Sequence, residues 1–425
     1  MAILLAPAIA FAVLGTACTG IVGVGDIVFV GDGGGAGLTG DGSTDGRTTP
    51  DATTDGGTPA GGDAHCAAPT VACDKGCVDP KTFGGDTNNC GACGHSCGGG
   101  ACKSSICQPV PIATADLPNG IAVDMTSVYW TNTGPASGGS GTVMKSSLSG
   151  GSPVTLAGGQ EAPYGVAVDA KNVYWTNFCG TGAPPDAGCN VMEATLEGTN
   201  AVALALNQNF PAGITLDAAN VYWASYGGDI NYVPKSGGAL TTIAEGSQPS
   251  AIAVCGNNLY WTDEAVGYVY QLSPPTLTPL SPSNKVSTAY DPFAVACDDT
   301  TVYWANAGSM GPTGGLFAYG PGSPEAVLLS GALQGQDPVV LASNNVYPNA
   351  VLASDGSNLY YVDTAGGTVN ELPTGGQAIA LASGQDAPFS LALYPPGQTA
   401  KATAVYWVNR GVSGMGGAVM KVVTQ

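Results

Sequence analysis

The chain has 425 residues, 44% of them hydrophobic, with 31 acidic residues against 11 basic ones and a formal net charge of −20. The basic residues are scattered without a cluster, which argues against nucleic acid and against an anionic membrane surface as partners. Both histidines, His65 and His95, precede residue 109, so no chemistry that needs a histidine base can reside in the C-terminal three quarters.

Residues 1–17 are apolar and carry no charge. The run is short for a bilayer span and has the length of a secretory hydrophobic region, which predicts a signal peptide. It ends in small residues before Cys18, which resembles the acylated first residue of bacterial lipoproteins. That resemblance implies a lipid anchor at Cys18; plain cleavage after Ala17 and an uncleaved leader are the alternatives. Residues 18–65 are predicted to be a disordered tether. From 31 to 64 they are mostly Gly, Asp, Thr, Ser, Ala and Pro without an aromatic residue, a composition that cannot bury a core.

Thirteen cysteines fit an exported chain. Eight lie between 66 and 107 (Cys66, Cys73, Cys77, Cys90, Cys93, Cys97, Cys102 and Cys107) and four further on (Cys179, Cys189, Cys255 and Cys297). Both sets are even, which leaves Cys18 over. Residues 66–108 are too few for an adequate core and are predicted to be a disulfide module. Its spacing resembles the cysteine-rich module of stigma-specific-like proteins. Eight cysteines allow 105 connectivities, and spacing does not choose among them. Zinc held by Cys90, Cys93 and His95 is the competing reading. Cys179 and Cys189 flank a loop they could staple. Cys255 and Cys297 occupy near-equivalent places in adjacent repeats, where a bridge is geometrically demanding.

From residue 109 onward an aromatic pair recurs: Tyr129-Trp130, Tyr174-Trp175, Tyr222-Trp223, Tyr260-Trp261, Tyr303-Trp304, Tyr360-Tyr361 and Tyr406-Trp407, at spacings of 45, 48, 38, 43, 57 and 46. A period near forty-five with four strand-like runs per unit predicts one β-propeller blade per repeat. In the first unit the runs are Gly120–Asp124, Val128–Thr131, Gly141–Lys145 and Val154–Ala157. Small residues in the first run suit the strand nearest the axis, and the aromatic pair suits the wedge between blades. The 57-residue spacing predicts an insertion near 331–348. The last repeat stops after its third run, while Val110–Thr114 lies ahead of the first like an orphan fourth strand. Pairing the two closes the ring and removes exposed edges. The expected fold is therefore all-β: a seven-bladed propeller over 109–425 closed by an N-terminal strand, with helix almost absent.

The repeats resemble YWTD-type and NHL-type propellers. Tyr260-Trp261-Thr262-Asp263 matches the first motif verbatim, and Tyr129–Asn132 and Tyr174–Asn177 differ from it by one residue. The resemblance implies the fold and a tendency towards protein binding.

Asp124, Asp169, Asp217, Asp298 and Asp355 each stand six residues before the second aromatic of their repeat. A ring of acids could bind calcium. An aspartate between a strand and a turn also caps that turn, and repetition favours this architectural role. No glutamate pair suggests an acid and a base, and no catalytic residue, other metal ligand or cofactor is assigned. The expected function is a lipid-anchored or secreted surface protein, acting as a monomer, whose propeller is a non-enzymatic protein- or glycan-binding module. A calcium-dependent, lactonase-like enzyme and a structural envelope component are the alternatives.

Overall fold

A computed structural model describes residues 71–73, 76–134, 141–179, 189–272, 285–288, 292–298, 301–306, 315–319, 339–343, 351–397, 400–411 and 417–424. The expected signal peptide, the tether, Cys18 and Cys66 lie outside the described residues, as do the side chains of Cys73 and Cys77.

Each repeat is a four-stranded antiparallel sheet whose strands follow one another outward from the axis. Blade 1 comprises Pro118–Val123, Ser127–Asn132, Gly141–Ser147 and Val154–Gln160. Blades 2 to 6 begin at Pro163, Pro211, Pro249, Pro292 and Leu352 and are likewise built from consecutive strands. A further four-stranded sheet, blade 7, is composite. Its strands Pro388–Tyr394, Ala404–Asn409 and Gly417–Val423 are completed by Val110–Ala115, with Gly417 opposite Ala115 and Lys421 opposite Val110. The ring thus holds seven four-stranded sheets, and the first strand of blade 7 packs against that of blade 1. Pro111 is tolerated in the closing strand because that strand is an outer edge. The only helical segment among the described residues is a 3-10 turn at Pro80–Thr82, and no helix there is long and apolar enough to cross a membrane.

The expected insertion at 331–348 is corrected. Val339–Ser343 is the fourth strand of blade 5, paired with Gly315–Tyr319. The connection between these two strands, residues 320–338, takes in the first part of the expected stretch, and connections can lengthen without breaking the ladder.

First strands are buried along nearly their whole length, with Tyr394 at the end of blade 7 half-buried, and glycines set their spacing. A Cβ on Gly165 would lie 2.6 Å from the Ala212 carbonyl oxygen of the next blade, and one on Gly213 would lie 2.6 Å from that of Ser250. The motif threonine locks the same seam. Thr176 Oγ1 accepts from Gly165 N (2.9 Å) and donates to Ala212 O (2.8 Å), as Thr131 does with Gly120 N and Tyr164 O. All six tryptophans are fully buried. Trp175, Trp223 and Trp407 donate Nε1–H to Gln160, Gln208 and Gln385, each three residues before the proline that opens a first strand. At that position before Pro118 stands Ala115, and Trp130 Nε1 is buried without a partner. A satisfied buried donor is worth about 1 kcal/mol. Ala115→Gln should therefore raise stability by about that amount in urea unfolding, whereas a loss of stability would show that the closing strand cannot seat the longer side chain.

The cysteine module pairs Cys90 with Cys102 and Cys97 with Cys107, and Cys93 is also disulfide-bonded. These bridges indicate an oxidising environment of the kind found outside the cytoplasm. Zinc at Cys90, Cys93 and His95 does not match the arrangement. The sulfurs are consumed in disulfides, and the ring nitrogens of His95 face two carbonyls, Cys90 O at 2.6 Å and Thr424 O at 2.8 Å. A neutral imidazole carries one N–H, so both contacts are hydrogen bonds when the ring is protonated. The Thr424 contact ties the module to the end of blade 7.

Candidate functional site: the loop face of the ring

Antiparallel order puts two kinds of connection on opposite faces. Turns joining the first to the second strand and the third to the fourth emerge on one face. Loops joining the second to the third strand, and one blade to the next, emerge on the other.

The turn face is repetitive. Asp124 Oδ1 accepts from the amides of Thr126 and Ser127, both at 2.7 Å, and Oδ2 accepts from the Tyr129 hydroxyl at 2.7 Å. Asp169 and Asp217 serve Tyr174 and Tyr222 in the same way, as does Asp355 for Tyr360. Asp298 accepts from Tyr303 at 2.7 Å. Four of the five calcium candidates, Asp124, Asp169, Asp217 and Asp355, are thus turn caps, and all five anchor the first aromatic of the pair. Among the described residues no three carboxylates draw together. Burial, and then the aspartate, push the Tyr129 and Tyr222 hydroxyls well above their usual value, which keeps them as donors. In blade 4 the aspartate position is held by Cys255, which bridges to Cys297 at the end of the next first strand, Cα–Cα 5.9 Å. Cys179 and Cys189 staple the long loop of blade 2.

Asp169 has an added partner, Lys235 Nζ at 2.9 Å. Burial raises its carboxyl, but Lys235 and the amides of Lys171 and Asn172 outweigh burial and hold it below the ordinary value. A depressed native value stabilises above the unfolded value of about 4 and is lost as pH falls through the native one. Asp169→Asn should flatten the decline in stability between about pH 5 and pH 3, by on the order of 1 kcal/mol or less after solvent screening. Equal slopes in urea titrations of both proteins would contradict the pairing.

The loop face repeats its backbone and varies its side chains. The residue before four of the opening prolines, Leu117, Ala162, Phe210 or Ala387, has a positive φ of 48° to 55°. Its carbonyl accepts from the third residue after the second aromatic: Thr133, Phe178, Tyr226 or Arg410, at 2.9 to 3.1 Å. In blade 4 Glu264 N donates to Gln248 O in the same way. One hydrogen bond therefore presents Thr, Phe, Tyr, Glu and Arg at equivalent places around the ring. Each of the five is partly accessible. Two groups join across the blades. Phe178 meets Tyr164, Phe210 and Tyr226 at ring centroid distances of 5.5, 5.7 and 6.2 Å, and Tyr226 donates to Glu264 Oε2 at 3.4 Å. Arg410 lies 3.3 Å over the Phe389 ring and donates through Nε to Pro118 O at 3.4 Å. Reading the sequence missed these positions. Aligning the repeats on the second aromatic reveals them as the column where chemistry changes most, next to columns that hardly change.

A cleft of about 260 Å³ lies between the cysteine module and blades 6 and 7, walled by Ile106, Ile379, Leu381 and Val423 with Glu371 and Lys401 at its polar side. Burial, with repulsion from Asp355, raises the Glu371 carboxyl against the pull of Lys401.

Neither a protein-family model nor a curated protein matches this chain. Among solved structures it is similar to a streptogramin B lyase, 12% identical with a TM-score of 0.53 over 74% of this chain and 96% of that one. A catalytically inactive virginiamycin B lyase from Staphylococcus aureus with quinupristin is 13% identical, TM-score 0.52, over 75% and 99% of the two chains. Hydrazine synthase of Kuenenia stuttgartiensis is 14% identical, TM-score 0.53, over 73% and 96%. At these identities the likeness is one of fold: this chain is a β-propeller.

Proposed function

We propose that this protein is an extracytoplasmic binding module, held near a surface by its N-terminal tether, whose loop face receives a carbohydrate ligand without catalysing a reaction on it. The observation that carries the reading is the contrast within the repeats. Positions that recur in most blades serve architecture, whereas five loop-face positions share one backbone hydrogen bond and carry five different side chains. Partly exposed aromatic rings offer faces on which sugar C–H groups stack, with polar groups beside them to set orientation. The placement of both histidines before residue 109 and the capping role of the aspartates favour binding over hydrolysis.

The test is a double variant, Phe178→Ala with Tyr226→Ala, titrated calorimetrically against a panel of envelope-type oligosaccharides. The expected result is at least a tenfold loss of affinity at an unchanged melting temperature. Undiminished binding, or a ligand mapped to the turn face, would overturn the reading.

A further inference from the structure

Arg410 is the one loop-face column residue that carries a positive charge. It belongs to blade 7, donates to Pro118 of blade 1 and interacts electrostatically with Tyr164 of blade 2. Among the described residues its guanidinium has a carbonyl and an aromatic face as partners but no carboxylate. Burial pulls the guanidinium below its ordinary value, and Tyr164 offsets this only in part. Arg410 is only partly accessible, and a half-buried cation gains from a counter-ion that the described residues do not supply.

A second observation points to the same seam. Asn119, beside Pro118, is 2% exposed; its amide nitrogen is held by Thr133 and by Pro163 O, while Oδ1 has no partner. Ser390, beside Phe389, is fully buried and its hydroxyl has no partner. The equivalent positions in blades 1 to 3 are Gly120, Gly165 and Gly213, so the serine hydroxyl is an addition at this seam rather than part of the repeat. A guanidinium fork, an orphan acceptor and an orphan hydroxyl thus stand at the junction of blades 7 and 1, next to the aromatic arc.

We propose, resting on the loop-face reading above, that this seam binds the carboxylate of an acidic sugar. Arg410 pairs with the carboxylate and the partly exposed Phe178 walls the ring, beside the seam where Asn119 and Ser390 keep unpaired polar atoms. A guanidinium fork matches a carboxylate in two parallel hydrogen bonds, which a neutral sugar cannot reproduce.

The experiment titrates galacturonate and digalacturonate into the full-length chain, with galactose and inorganic phosphate as controls. Arg410→Gln, Arg410→Lys and the Phe178/Tyr226 double variant are compared, and melting temperatures are recorded for each. The expected result is digalacturonate binding that Arg410→Gln weakens at least tenfold, that Arg410→Lys partly rescues, and that salt weakens. Galactose should bind more weakly and be insensitive to Arg410. If Arg410→Gln only lowers the melting temperature, Arg410 is a strut between blades and the proposal fails. Arg410-dependent binding of phosphate alone, or of a peptide C-terminal carboxylate instead of the uronate, would also overturn the sugar assignment. Neutral glycan binding that depends on Phe178 and Tyr226 but not on Arg410 would sink this inference and leave the loop-face reading standing. Binding indifferent to all three residues would sink both.

Discussion

Trp223→Ala should destabilise the protein by about 3–5 kcal/mol, the range for deleting a large buried aromatic side chain. Trp223 is fully buried in a cluster with Ile214, Val221 and Val233 of its own blade and Tyr174 and Val191 of blade 2. The indole therefore fills the wedge between two sheets that diverge from the axis, and neither sheet can close the gap without pulling its first strand off the ring. Its Nε1–H also satisfies Gln208, whose Oε1 would lose that donor in the variant. Trp223→Phe keeps most of the volume and should cost roughly half as much. Urea unfolding followed by circular dichroism measures both. A cost below about 1 kcal/mol for the alanine variant would mean that the blades collapse around the gap, against the close packing expected of such a core.

The second large effect concerns closure. Replacing residues 110–115 by a Gly/Ser segment of equal length should abolish the soluble monomer. Those residues pair with Gly417–Val423, whose Val419 and Val422 are buried, and they bring Ile112 into the core between blades 7 and 1. Without them blade 7 exposes an unpaired strand and an apolar face, a template for association with other chains. The replacement leaves the cysteine module in place, so the effect reports on the strand alone. Size-exclusion chromatography should show aggregates or loss of soluble protein. Adding a peptide of residues 108–117 in trans should restore part of the monomer peak. A monodisperse monomer with an unchanged melting temperature would mean that the ring holds without its fourth strand in blade 7.

Much of the architecture was legible because a repeat is a local signal. Each Tyr-Trp pair sits in a second strand, the aspartate six residues before the second aromatic caps a turn in four of the blades, and the orphan run at Val110 pairs where the last repeat lacks a strand. The disulfide Cys255–Cys297 was also within reach, since aligned repeats place equivalent residues at equivalent points of neighbouring blades, and Cys179–Cys189 because the two flank a single loop. The position of the 57-residue spacing's extra length was misread. A sequence run such as Val339–Ser343 looks the same whether it is an insertion or a fourth strand, and only its pairing with Gly315–Tyr319 distinguishes the two.

The amino-acid sequence by itself determined the kind of fold and the division between repeated and unrepeated residues, because the strands of a blade follow one another in the chain, and it marked the closure through one missing and one orphan strand. Only the tertiary structure decided which of the scattered polar and aromatic residues meet. Arg410 reaches Pro118 across 292 positions, and Phe178 gathers rings from Tyr164 to Tyr226. Closing a ring brings its first and last blades together, so the contacts of greatest functional interest are those between residues farthest apart in the chain, where no local pattern can record them.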